Sequence, residues 1–304
     1  MKEIKKVAIV GMGALGLLYG NRIAENMGND SVCFVADEAR VKRYAKTMFT
    51  INGEEKHFGV KSGKEATPVD LVIVATKYNH LAQALEVMEN CVGEDTIIIS
   101  IINGISSEEI IGEYFGSDKV LYTVAQGMDA VKIGGAFTYT NFGELRTGQT
   151  GDEQRERFEA LVHFFDKAKI SYTIDGDIIH RMWSKFMLNV GINQVCMVYE
   201  TNYGGATKGV EEFEVMNEAM QEVIKVAKAE GVKLTQTDAD GYIVLMKSLD
   251  PKATPSMRQD GMQKRPSEVE MFAGKVIELG RKHHIPVPVN EMLYKKVKEM
   301  ESTY

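Results

Sequence analysis

Short apolar runs alternate with amphipathic stretches through the first half of the chain. Runs at residues 7–10, 32–35, 71–75 and 97–102 read as buried strands, and the stretches at 14–26 and 80–88 between them read as helices. This alternation predicts a parallel sheet flanked by helices. Asn52-Gly53 marks a hairpin inserted between strands, and further strands are expected at 120–124, 137–141 and 171–174. The pattern changes at "TIDGDI", residues 173–178, where Asp-Gly punctuates the chain. From Asp177 onward the apolar positions recur at helical spacing, in stretches such as "VEEFEVMNEAMQEVIKVAKAEG" and "SEVEMFAGKVIELGRKHH". The expected organisation is an α/β domain built on a parallel sheet over 1–176, followed by an all-helical domain over 177–304.

The first strand runs straight into "GMGALG", Gly11 to Gly16. In a strand–turn–helix setting Gly11 permits the tight turn, Gly13 lets backbone approach a pyrophosphate, and Gly16 lets the helix pack close to the strand. The phosphates then meet the N–H groups of the helix start, contributed by the Met12, Ala14 and Leu15 segment. Such a motif is weak alone, and a glycine turn in another α/β protein is the alternative. Its place between a strand and a helix, with a second strand about 30 residues on, favours a dinucleotide. At the end of that second strand stands Asp37, an acidic side chain suited to ribose hydroxyls, while Arg40, Lys42 and Arg43 follow within reach of a 2′-phosphate. The alternative for these cations is a solvated helix face.

A second unusual stretch is "MWSKFMLNVGIN". Lys185, Asn189 and Asn193 are spaced four apart and share one helical face, on a helix apolar on most other sides. Burying a lysine and two amides is costly without partners, and a polar ligand would supply them. The competing account has Lys185 snorkelling to solvent and the amides bonding nearby backbone. Glu268 and Glu270, after Pro266-Ser267, begin a helix where carboxylates suit the dipole, and Ser267 with Glu270 forms a capping-box pattern. On sequence alone Glu268 is as much structural as catalytic.

Composition narrows the partners. The 304 residues are 44% hydrophobic and 26% charged with 6 Pro, which suits a globular chain of about two domains of ~100–200 residues. A net charge of −7 lacks the basic field that nucleic acid requires, and no apolar run approaches the ~18 residues of a membrane span. No secretory leader precedes the glycine loop, so the cytoplasm is the expected location. Cys33, Cys91 and Cys196 lack paired spacing and are read as packing residues. His283-His284 is the one adjacent histidine pair, read as a solvated helix cap, and no metal site is expected.

Taken in order, "VGMGALG", Lys77 in "VIVATKYN", Asn103-Gly104 in "IINGI", "MWSKFMLNVGIN", Ser256 in "PSMRQD" and Glu268 in "RPSEVE" resemble the 2-dehydropantoate 2-reductase (ketopantoate reductase) family over nearly the whole chain. The resemblance implies a Rossmann-type domain joined to a helical domain of the 6-phosphogluconate dehydrogenase-like kind, with an active site in the cleft between them. It implies NADPH-dependent reduction of 2-dehydropantoate to (R)-pantoate in pantothenate and coenzyme A biosynthesis. Lys185 would be the general acid and Glu268 its positioning partner. Asn189, Asn193 and Ser256 would bind the substrate, Asn103 would stand near the nicotinamide end, and Lys77 near cofactor and substrate. Asp37 departs from the basic residue common in the family at that place, which leaves NAD(H) open beside NADP(H). The expected partner is a small 2-oxo acid, with a homodimer as the assembly considered. A reductase of another 2-oxo acid, an opine-type dehydrogenase on the same scaffold, and a dinucleotide sensor without turnover are the alternatives.

Overall fold

The computed structural model describes residues 3–304, which divide into two compact units, 3–178 and 179–304. In the first, strands β1 (Val7–Val10), β2 (Val32–Ala36), β3 (Phe49–Ile51), β4 (Glu54–Lys56), β5 (Gly59–Ser62), β6 (Leu71–Val74), β7 (Ile97–Ser100), β8 (Val120–Gln126), β9 (Val131–Ile133), β10 (Ala136–Thr138), β11 (Glu144–Gly148) and β12 (Tyr172–Ile174) form two sheets. Helices α1 (Ala14–Met27), α2 (Glu38–Tyr44), α3 (Leu81–Met88), α4 (Ser107–Phe115) and α5 (Arg155–Ala168) connect them.

The eight-stranded sheet has the order β12-β11-β8-β7-β6-β1-β2-β5. From β5 through β1 to β8 its pairs are parallel, and the strand order reverses direction between β1 and β6, the arrangement of a doubly wound Rossmann sheet. β1, β6 and β7 are buried at every position, as strands covered on both faces must be, which is why they read as apolar runs broken only by Ser100. Register decides what these strands carry. Val10 pairs with Val35 on one side and Val74 on the other, and Val74 pairs with Ser100. The residues following these four positions therefore leave the sheet along one edge.

The strands expected at 71–75 and 97–102 end earlier, at Val74 and Ser100, where the chain turns into connecting segments. The Asn52-Gly53 hairpin is present, with Asn52 at φ 49° and Gly53 at φ 86°, but it joins β3 to β4 in a separate four-stranded sheet, order β4-β3-β10-β9. The strand expected at 137–141 is β10, and it belongs to this small sheet, parallel to β3.

The second unit is helical: α6 (Ile178–Val198), α7 (Tyr203–Lys208), α8 (Val210–Ala229), α9 (Gln236–Ser248), α10 (Ser256–Met262), α11 (Lys275–Lys282) and α12 (Pro288–Glu301). α8 buries Met216, Ala219, Met220, Val223, Val226 and Ala227 at helical spacing. α6 approaches it closely: a Cβ at Gly191 would lie 2.8 Å from Met220 Cγ. The buried carboxylate of Glu222 on α8 accepts from Val289 N and Asn290 N, both at 2.9 Å, and so satisfies the start of α12. Asn290 Oδ1 accepts from Gln194 Nε2 of α6 at 3.2 Å, and Gln194 Oε1 accepts from Ala273 N at 3.2 Å. One satisfied polar network thus fixes α6, α8, α12 and the segment before α11 in register.

Two local expectations change. The reciprocal capping box of Ser267 and Glu270 does not form. Ser267 Oγ accepts from Val269 N at 3.3 Å, but Ser267 N donates to Glu301 Oε1 at 2.7 Å, and Glu270 accepts from Tyr294 Oη at 2.8 Å. The chain opens there as a π turn, Glu270–Gly274, with Gly274 N bonded to Val269 O at 3.0 Å. His283 is no solvated cap: it is half-buried and hydrogen-bonded to Glu230, while His284 adopts the left-handed conformation at φ 55°.

Candidate active site

The glycine loop follows β1 at the reversal point of the sheet. Gly11 stands at φ +110°, and a Cβ there would lie 2.5 Å from Ala75 O, so the turn into α1 admits no side chain. A Cβ on Gly16 would come within 1.9 Å of Gly11 O, so that glycine lets α1 fold back on its own loop. Gly13 differs from both. Its nearest protein atom would be Ala75 O at 3.9 Å, and its backbone is extended at φ −81° and ψ −168°. The fold itself therefore leaves room at Gly13, beside the first turn of α1, which has no side-chain cap and no acidic residue. Open space against uncapped N–H groups fits a phosphate.

Asp37, Lys77 and Asn103 reach the same sheet edge from β2, β6 and β7. Lys77 and Asn103 are both partly buried, and Lys77 leads into the turn Tyr78–His80. Asp37 caps α2: its Oδ1 accepts from Arg40 N at 2.7 Å and its Oδ2 from Arg40 Nη1 at 2.5 Å. Gln83 joins them, accepting from Arg40 Nη1 at 2.7 Å. Burial opposes ionisation of Asp37, but the Arg40 backbone and guanidinium together hold its carboxyl below the usual range. Arg40 is thus locked beside Asp37, whereas Lys42 is exposed as a solvated face would have it.

A further cation meets the loop from a distant part of the chain. Lys132 on β9 donates to Met12 O at 2.6 Å, with its ammonium 5.4 Å from the centre of the Phe49 ring. Neither periodicity nor motif pointed to it, because 120 residues separate it from Met12 and only the pairing of the small sheet brings it there.

In the second unit the polar stripe of α6 is present as spaced. Lys185 is partly buried, and Asn189 and Asn193 are buried among Phe186, Met187, Val190 and Ile192. Asn193 Nδ2 donates to Asn189 Oδ1 at 3.3 Å. Asn193 Oδ1 accepts from Met257 N at 3.1 Å and from Ser256 Oγ at 3.3 Å, so Ser256, the first residue of α10, is tied to the stripe. Glu268 is partly buried at the entrance to the π turn, and the Gln194–Ala273 bond holds that turn against α6. Sequence order alone could not show that residues 193, 256 and 257 meet.

Among the described residues no group of three His, Cys, Asp or Glu side chains is placed to hold a metal ion. The three cysteines are unbridged, and burial pushes the thiol of Cys91 up to about 11 and that of Cys196 to about 12. Among the described residues no helix is long and apolar enough to cross a membrane.

Residues 7–151 match the family described as Ketopantoate reductase PanE/ApbA, and residues 177–301 match Ketopantoate reductase PanE/ApbA C terminal. The chain belongs to the ketopantoate reductase family. That family is one of oxidoreductases, so the stripe of α6 and the glycine loop belong to a redox enzyme scaffold. The 2-dehydropantoate 2-reductase of Aquifex aeolicus is 27% identical over 98% of this chain and 97% of its own. That of Streptococcus pyogenes is 24% identical over 97% and 98%. Among solved structures, a family ketopantoate reductase from Ralstonia eutropha JMP134 superposes with a TM-score of 0.84 at 24% identity, covering 98% of this chain and 99% of that one. D-mandelate dehydrogenase in complex with NADH reaches 0.87 at 22% identity over 98% and 99%. At these identities the structural likeness is one of fold.

Proposed function

We propose that this member of the ketopantoate reductase family reduces 2-dehydropantoate to (R)-pantoate with NADPH, in pantothenate and coenzyme A biosynthesis. The observation that carries the reading is the polar stripe on α6: a lysine and two asparagines in an otherwise apolar helix, bonded to the start of α10. Gly11 to Gly16 hold the pyrophosphate, with Gly13 leaving the space and the α1 N–H groups supplying donors. Asp37 and Arg40 border the adenosine ribose, and Lys77 and Asn103 border the nicotinamide end. Bound there, the dinucleotide supplies the hydride that reduces the ketone carbon.

Lys185 holds the proton. As negative charge grows on the ketone oxygen, the Lys185 Nζ ammonium first stabilises it and then transfers a proton to it. Glu268 positions the ammonium and the substrate. Asn189, Asn193 and Ser256 bind the carboxylate and hydroxyl groups of the oxo acid. Their mutual hydrogen bonds orient these donors before substrate arrives, which spares part of the ordering cost of binding.

A second reading is a reductase of another 2-oxo acid using NADH. It is favoured by Asp37 at the end of β2 and by the fold likeness to D-mandelate dehydrogenase, whose structure holds NADH with anilino(oxo)acetate at a TM-score of 0.85. The deciding experiment follows nicotinamide absorbance with purified protein, pairing NADPH or NADH with 2-dehydropantoate and with phenylglyoxylate at matched concentrations. Fastest turnover with 2-dehydropantoate and NADPH upholds the first reading, and a preference for phenylglyoxylate with NADH replaces it with the second. Tight dinucleotide binding without turnover on any oxo acid would leave a sensor.

A further inference from the structure

We propose that Lys132, backed by Arg43, is a phosphate-binding cation of the dinucleotide site, reaching the glycine loop from the small sheet rather than from the end of β2. The proposal rests on the reading that this loop takes a nicotinamide dinucleotide. Lys132 Nζ lies 2.6 Å from Met12 O, the carbonyl that immediately precedes the open position at Gly13. Its ammonium lies over the Phe49 ring, and the Tyr44 ring stands 6.0 Å from Phe49 by centroids. Arg43 stacks on that same Tyr44, its guanidinium carbon 5.0 Å from the ring centre and its Nη2 3.3 Å from the hydroxyl.

Among the described residues no carboxylate pairs with either cation, unlike Arg40, Lys56 or Lys64. Two positive groups have therefore been brought to one place without a protein counter-charge. Burial, and then the nearby Arg43, hold the Lys132 ammonium below the usual lysine range. An anion beside the ammonium would favour its charged form and offset the burial. A single carbonyl acceptor also leaves donors of the ammonium over, since it has three. The neighbouring space at Gly13 and the uncapped α1 start are where a phosphate would complete it. Arg40 is engaged by Asp37, whereas the Lys132 ammonium already stands at the loop.

Dissociation constants for NADPH and NADH, measured by calorimetry on the intact protein, test this with Lys132→Met, Lys132→Gln and Lys132→Arg. Glutamine keeps a donor for Met12 O but removes the charge. Met and Gln are both expected to weaken NADPH at least about tenfold, the scale of one lost charge-assisted hydrogen bond, with Arg restoring most of the affinity. Weakening of NADPH alone locates the contact on the 2′-phosphate, and equal weakening of NADPH and NADH locates it on the pyrophosphate. Wild-type affinity in Lys132→Gln would make Lys132 a brace for the loop and overturn the proposal while the dinucleotide reading stands. Failure of the wild-type protein to bind either dinucleotide would overturn that reading and the proposal with it.

Discussion

Gly13 and Gly16 belong to one motif, yet the structure assigns them different work, and alanine at each separates ligand binding from folding. At Gly16 the added Cβ would stand 1.9 Å from Gly11 O, more than an ångström inside any real carbon–oxygen approach. The obstacle is backbone, so α1 must shift against β1, and the cost expected is at least the ~1–3 kcal/mol of core overpacking. At Gly13 the Cβ would meet nothing closer than 3.9 Å, in an extended conformation open to alanine. Loss of a good N-cap residue costs roughly 0.5–1 kcal/mol, and the stiffer unfolded chain offsets roughly 0.4–1 kcal/mol. Gly13→Ala should therefore leave the Tm of the ligand-free protein within about 3 °C, whereas Gly16→Ala lowers it by about 3–8 °C or more. Binding should invert the order of explanation. The Gly13 methyl occupies the phosphate's place and removes access to about two N–H donors, each worth ~1.5–3 kcal/mol to a charged acceptor, so NADPH affinity should fall at least about a hundredfold. Circular-dichroism melts with calorimetric titration on the same samples measure both. Native affinity in a fully folded Gly13→Ala protein would refute the assignment of this loop to phosphate.

Lys185→Ala should lower turnover by about 10²–10⁴-fold while the dissociation constant for the dinucleotide stays within about twofold; steady-state rates against calorimetry would show this, and an unchanged rate removes Lys185 from proton transfer. Asn193→Ala should strand the buried Met257 N–H and cost about 1–3 kcal/mol in urea unfolding, besides raising KM for the oxo acid, while Ser256→Ala should raise KM with a smaller loss of stability. Acid should destabilise the protein. Burial would raise the carboxyls of Glu144 and Asp238, but hydrogen bonds from Thr173, Gln126 and Arg146 to the first, and from Thr235 and His180 to the second, hold both below their usual range. A depressed folded-state pKa contributes stability above the unfolded value of ~4 and loses it as pH falls through the folded one. Melts should fall below about pH 4, with the fall reduced in Glu144→Gln; a Tm that rises on acidification contradicts the sign.

Local, short-range physics made much of this protein legible from its sequence. The four-residue runs β1, β6 and β7 are buried on both faces, so every position but Ser100 is apolar, and Gly16 answers a steric demand set five residues away, whereas the contact that bars a side chain from Gly11 comes from Ala75 after β6. The stripe of Lys185, Asn189 and Asn193 follows from helical periodicity alone. What sequence could not reach depends on which distant segments pair. The β3–β10 pairing carries Lys132 across 120 residues to Met12, the Asn193 carbonyl selects Ser256 and Met257, and Asp37 is taken up by Arg40 and Gln83. The capping box failed for the same reason: Glu301, 34 residues away, took the Ser267 N–H, and Glu270 turned to Tyr294. Periodicity reports which face of an element is buried, because burial acts on each residue separately. Partner choice is a property of pairs, and only the folded chain, by bringing remote donors and acceptors within about 3 Å, decides it.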